Sequence, residues 1–134
     1  MIYVVIDTNV FVSALFTRHP NSATTKVVEA LTNGQIILLY NEQIINEYQE
    51  VLSREKFHIS PYDRQKLLYF IREHGLIAER IAYGDLFIDE TDRVFYEISL
   101  SKEDSFLVTG NLKHFPEEPR VVTPAEMIEI LEKE

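Results

Sequence analysis

Four carboxylates and one amide stand in this sequence where side chains of their type can do chemistry: Asp7, Glu47, Asp89, Asp92 and Asn111. Gathered at one place, such carboxylates repel one another and raise their own pKa values. A hard divalent cation removes that repulsion and stabilises charge developing on a phosphate. Each residue also has a plainer structural role. Asp7 closes the apolar run Ile2–Ile6. A lone buried charge is costly, so it either caps the helix that follows, a role Asn9 shares, or reaches the rim of a sheet. Glu47 lies on a segment whose apolar arc holds Ile44, Ile45, Tyr48, Val51 and Leu52. At about 100° per residue it falls roughly 40° beyond Val51, at the margin of that arc. Glu42 and Glu50 lie well round the polar side, so Glu47 is the acid best placed to look toward a sheet edge. Its alternative is a solvated side chain whose stem covers apolar surface. Asp89 and Asp92 have the spacing of a helix cap and its third residue, and acids in a first turn suit the helix dipole. That accounts for Asp89 better than for Asp92, which lies one turn before Phe95 and Tyr96. Thr109 ends an apolar strand, Gly110 permits a tight turn, and Asn111 follows at the rim, as a turn residue or as part of a site.

The elements that must position these residues follow from periodicity and caps. Ile2–Ile6 reads as a buried parallel strand because it is continuously apolar. Residues 10–16 form a short helix that stops before Pro20. Asn21 or Ser22 caps a helix to about Thr32, closed by Asn33 and Gly34. Residues 35–40 are a second buried strand, and residues 41–54 a helix. Ser60 caps a helix that starts at Pro61 and runs to about His74. The stretch "LIAERIAY" is ambiguous and has room for a short strand. Residues 89–100 read as one helix, 105–109 as a strand, 120–123 as an edge strand, and 124–131 as a terminal helix. Strands alternating with helices imply an α/β sandwich around a mostly parallel sheet. In such sheets, sites form outside the carboxyl ends of the strands.

A length of 134 residues suits one domain, 1–134, with a core that needs no staples. The absence of Cys excludes disulfides, thiol nucleophiles and Cys-zinc sites, and fits a cytoplasmic setting. No apolar run approaches the roughly 20 residues of a membrane span, and no basic segment precedes the first one, so neither a membrane anchor nor a signal peptide is expected. A net charge of −9 argues against holding nucleic acid by basic charge alone. It leaves room for a protein that brings cations to a phosphate substrate. Small basic groups do follow the candidate residues: Arg54, Lys56 and His58 after the Glu47 helix, and Lys113 with His114 after Asn111. They are guides for phosphate or an ordinary solvated surface.

Three segments in this order resemble the PIN-domain family of metal-dependent ribonucleases: "VVIDTNVFVSAL", "NEQIINEYQEVLSREKF" and "DETDRVFYEISLSKEDSFLVTGNLKHFP". The likeness covers nearly the whole chain and points to the toxin-like branch, whose toxin–antitoxin members are VapC-like. It implies a three-layer α/β/α sandwich with a sheet of about five parallel strands, Mg2+ or Mn2+ dependence, an RNA substrate, frequent homodimers and, for a toxin, a protein antitoxin. It matches Asp7, Glu47 and Asp92 to the family's catalytic, metal-binding acids. The fourth metal position, commonly Asp, is Asn111 here, and an Asn carbonyl still ligates a hard cation. Thr8 and Asn9 match the T-N pair and Thr109 the turn hydroxyl; with Asp89 they are expected to support the acids. The implied reaction is hydrolysis of an RNA phosphodiester, with Asp7 and Asp92 holding the principal ion and Glu47 ligating it or orienting the attacking water.

The alternative is a catalytically weak PIN-like module that binds RNA or a protein partner, which Asn111 and the negative charge both favour. Other phosphate chemistries fit less well. A haloacid-dehalogenase-type phosphotransferase needs a second Asp two residues after the first, where this chain has Asn9. A phospho-receiver domain wants an early acidic pair and a late strand-end lysine, a set not found here. A dinucleotide-binding domain is not expected with four Gly and no G-x-G-x-x-G.

Overall fold

The apolar run at the start of the chain forms β1 (Ile2–Ile6) in the middle of a parallel sheet. Val4, Val5 and Ile6 are wholly enclosed, which explains the unbroken apolar pattern: both faces of the strand are covered. The structure is a computed structural model and describes residues 1–17 and 19–134. After β1 come α1 (Thr8–Thr17), α2 (Ala23–Thr32), β2 (Ile36–Tyr40), α3 (Glu42–Leu52), α4 (Pro61–His74), β3 (Leu76–Ile77), α5 (Arg93–Ser99), β4 (Phe106–Val108), β5 (Val121–Val122) and α6 (Pro124–Glu132). Short 3-10 turns occupy Glu55–Phe57, Glu90–Asp92 and Leu112–His114. The strand order is β3-β2-β1-β4-β5, and every neighbouring pair is parallel. The helices pack as two groups, α1–α2–α6 and α3–α4–α5, linked where α1 meets α3, and with the sheet they make an α/β sandwich.

Capping sets most helix starts. Ser22 accepts from the Thr25 N–H, Asn41 from Ile44 and Ser60 from Asp63, each satisfying a donor that the first turn leaves free. Thr123 and Glu126 form a reciprocal capping box on α6. The core joins Tyr48, Phe11, Phe95 and Tyr96 to the aliphatic residues of β1, β2 and β4.

The structure departs from the sequence expectation in two places. The first helix begins at Thr8, two residues before the expected Val10, because Asp7 itself supports its first turn: the Val10 N–H donates to the Asp7 carbonyl at 2.9 Å. The expected single helix over 89–100 is a 3-10 turn at Glu90–Asp92 followed by α5 from Arg93 to Ser99. Asp89 accepts from Thr91, two residues on, and closes a turn tighter than an α-helical cap. The stretch with room for a short strand does hold one, the two-residue β3, followed by an irregular segment that α5 ties down. The buried Glu97 carboxylate accepts from Arg80 and from the Tyr83 N–H, while Arg93 donates to the carbonyls of Tyr83 and Asp85. Although burial opposes its charge, the Tyr83 N–H and Arg80 hold the Glu97 carboxyl below its ordinary pKa. The apolar faces of α4 and α6 are mostly core. Leu67, Leu68, Ile71 and Met127 are buried, and Phe70, Ile128, Ile130 and Leu131 pack partly buried against them.

Candidate metal-binding acidic site

Because all strands run the same way, residues following β1 and β4 emerge at one edge of the sheet. Asp7 is the first residue past β1, and Thr109 the first past β4. The two strands are hydrogen-bond neighbours, so the side chains meet: Thr109 Oγ1 donates to Asp7 Oδ2 at 2.8 Å. Asp7 is only 6% exposed. Burial pushes its pKa up, against the opposing pull of the Thr109 hydroxyl and the N–H groups of Thr8 and Asn9. The two roles open for Asp7 are therefore not exclusive: it holds the first N–H groups of α1 and also faces the sheet edge. Asn9 itself is exposed.

Glu47 reaches the same edge from α3. The helix starts at Asn41, directly after β2, so its first turns overhang the carboxyl ends of the strands. Tyr48 anchors it: its ring is wholly buried and its hydroxyl donates to the Ile6 carbonyl at 2.5 Å. That bond fixes the helix one residue from Asp7. Glu47, next to Tyr48 and half-buried, accepts a short hydrogen bond from Thr8 Oγ1. Burial raises its pKa, and the charges of Asp7, Asp92 and Asp89 raise it further.

Asp92 arrives on the 3-10 turn before α5. Burial and the neighbouring Asp7 and Asp89 charges push its pKa up to about 6, despite the nearby His114. The His114 Nδ1 lies 3.2 Å from Asp92 Oδ2, and its Nε2 lies 3.1 Å from the Asn111 amide nitrogen. Asn111 is part-buried, and its backbone N–H donates to Thr109 Oγ1 at 3.0 Å. Asp89 is exposed and satisfied by Thr91, which keeps its carboxyl below the ordinary value. It faces the site through its charge alone.

Burial shifts all three carboxyls, Asp7, Glu47 and Asp92, toward the protonated form, and the Asp7 charge acts on both Glu47 and Asp92, the Asp92 charge on Glu47 as well. Buried carboxyls beside like charges are stabilised by a nearby cation, and an oxygen-rich donor set suits Mg2+ or Mn2+. The side chains do not form a ready-made ligand sphere. Among the described residues, no three His, Asp or Glu side chains lie close enough together to hold a metal ion. Asp7 is engaged by Thr109, Glu47 by Thr8 and Asp92 by His114. The residues fit a hard cation in donor chemistry.

Two residues of this constellation escaped the sequence reading. Tyr48 registers there only as an apolar helix position, and His114 only as a basic neighbour of Asn111. The signal for His114 was the N-x-x-H spacing after a tight turn, because residues three apart on a 3-10 turn lie one above the other.

A family model described as the PIN domain matches residues 3–113. No curated protein matches the chain. Among the described residues, no helix is long and apolar enough to cross a membrane.

Proposed function

The chain belongs to the PIN-domain family, a nuclease-like fold, and from that premise we propose that it is a metal-dependent endoribonuclease that hydrolyses RNA phosphodiester bonds. The observation that supports this reading is that Asp7 after β1, Glu47 on α3 and Asp92 on the turn before α5 lie within electrostatic reach at one edge of the sheet, each with its pKa raised. Asp7 and Asp92 are the residues to hold Mg2+ or Mn2+, with Glu47 as a further ligand or as the acceptor that orients the attacking water. The cation, when bound, lowers the cost of charge building on the phosphate and of deprotonating that water. Thr109 and Thr8 hold Asp7 and Glu47 in place beforehand. Asn111 brings no charge, so the site has one anion fewer for a second cation, and an RNA phosphate is the group able to supply it.

Within this reading the protein acts in the cytoplasm as the toxin of a toxin–antitoxin pair, with a small protein antitoxin as partner and a homodimer as its assembly. The partly buried rims of α4 and α6 are the surfaces for the dimer contact. The second reading, a catalytically weak module that binds RNA or a protein, is favoured by Asn111 and the net charge of −9.

Cleavage of a single-stranded RNA with Mg2+, with Mn2+ and with EDTA separates the two. The nuclease reading expects cleavage with the cations only. Asp7→Asn should lose at least about a hundredfold in rate, the scale of removing one electrostatic stabiliser. It should also cancel the rise in melting temperature that the cation gives the wild-type chain by mass action. RNA retention without cleavage under any cation would establish the binding module instead.

A further inference from the structure

His114 joins two parts of the site that the backbone does not join. Following the side chains, Asp7 accepts from the Thr109 hydroxyl, that hydroxyl accepts from the Asn111 N–H, the Asn111 amide meets one nitrogen of the His114 ring, and the other nitrogen meets Asp92. One turn after β4 thereby holds two acids that are 85 positions apart in the chain (7 and 92). The turn is short and internally bonded: the His114 N–H donates to the Asn111 carbonyl at 3.1 Å, which brings the two side chains to the same side.

The partners dictate the tautomer. An ionised Asp92 has no proton to give, so Nδ1 carries the proton and donates it. A neutral ring then offers a bare Nε2, and the group facing it is the Asn111 amide nitrogen, which can only donate. The amide is therefore oriented: its nitrogen is spent on the ring, and its carbonyl oxygen occupies the other branch. Among the described residues neither that oxygen nor Asp92 Oδ1 has a hydrogen-bond donor. Two acceptor oxygens lacking donors, from two segments clamped by one ring, are what a hard cation needs.

We propose that His114 is a positioning residue of the metal site: in its Nδ1–H tautomer it grips Asp92 and Asn111 together and turns the free oxygen of each toward the cation, without itself being a ligand. This rests on the metal-dependent reading above and adds to it a reason why an amide at position 111 is workable. A neutral imidazole accepts from an amide nitrogen, whereas a carboxylate at 111 would set its lone pairs against that of Nε2. The side chain resembles the outer partners that orient ligands around other metal centres, whose loss costs roughly ten- to a hundredfold in metal affinity.

The test uses Mg2+, which is diamagnetic, and two readouts other than cleavage. Long-range 1H–15N correlation in the metal-free wild-type chain should show His114 protonated at Nδ1 and bare at Nε2. A protonated Nε2 would mean that the Asn111 oxygen is spent on the ring, and would overturn the proposal without any variant having to fold. Calorimetric titration with Mg2+ should then show His114→Ala weaker by about tenfold. His114→Asn, whose amide can still donate to Asp92 in place of Nδ1–H, should recover part of that loss. Asn111→Ala should cost far less in the His114→Ala background than in wild type, because the pair acts as one unit. Equal Mg2+ affinity in wild type and His114→Ala would reject the positioning role and leave the metal site standing. A wild-type chain that takes up no Mg2+ would reject the metal site and, with it, the role proposed for His114.

Discussion

At the scale of single residues, Asp92 makes the acidic site visible in stability. Its pKa rises from an ordinary 3.8 to about 6 through burial and the neighbouring acids. The folded chain therefore binds this proton more tightly than the unfolded chain does. The resulting stabilisation is complete below about pH 4 and is lost as pH climbs through about 6. At roughly 1.4 kcal/mol per pH unit, the loss from this one group is on the order of 2–3 kcal/mol. Asp7 and Glu47 are shifted the same way and add to the slope. In EDTA, urea denaturation from pH 4 to pH 7 should show stability falling, and Asp92→Asn should flatten the fall. Saturating Mg2+ should remove it, since the cation binds only the ionised carboxylates. A variant with the wild-type slope would show that Asp92 is not the group whose titration sets it.

At the scale of elements, the bond from Tyr48 to the Ile6 carbonyl decides whether α3 delivers Glu47 to β1. Both partners are wholly buried, so loss of the hydroxyl strands a backbone acceptor. Tyr48→Phe keeps the ring, and with it the edge contact to Phe11 at 5.0 Å between centroids. It should cost about 1–2 kcal/mol, the scale of one buried acceptor left unsatisfied. Because the acceptor lies one residue before Asp7, the variant should also weaken Mg2+ binding. Thermal unfolding and calorimetric titration of the same preparation check both. A variant that loses stability but keeps its Mg2+ affinity would show that α3 is held at the edge by packing alone. The β4 turn works differently, since it gathers Asp7 and Asp92 through Thr109, Asn111 and His114 rather than through packed apolar surface.

At the scale of the whole molecule, a net charge of −9 repels a polyanion. The salt bridges consume part of the basic complement, with Arg54 on Glu50, Arg72 on Glu42, Arg80 on Glu97 and Arg93 on Glu90. RNA affinity should accordingly depend on the divalent cation more than on lysine and arginine. Fluorescence anisotropy with a labelled single strand should give weak binding in EDTA and tighter binding with Mg2+. The fall in affinity with monovalent salt should be shallow, because few counterions are released. Tight binding in EDTA with a steep salt slope would place the RNA on a basic surface away from the acids.

Much of this molecule is settled by local rules that a sequence displays. The unbroken apolar run from Ile2 to Ile6 means a strand covered on both faces. Ser22, Asn41, Ser60 and Thr123 mark helix starts because a side-chain oxygen satisfies a free N–H within the same turn. Strand direction is equally legible from the alternation of elements, and it alone sends Asp7 and Asn111 to one edge. Other features required the chain to be closed on itself. Whether Asp92 began an α-helix or a tighter turn depended on Asp89 choosing Thr91, and on Arg93 bonding to a loop ten residues upstream at Tyr83. Glu47 could be placed near the sheet edge from helical phase, but its partner, Thr8, lies 39 positions away. Nor does any periodicity connect His114 to Asp92, 22 positions earlier. Periodicity reports which face of an element is apolar and is blind to what that element is packed against. The hydroxyls and the ring that hold these acids were chosen by the crossovers between strands, so only the tertiary structure decided them.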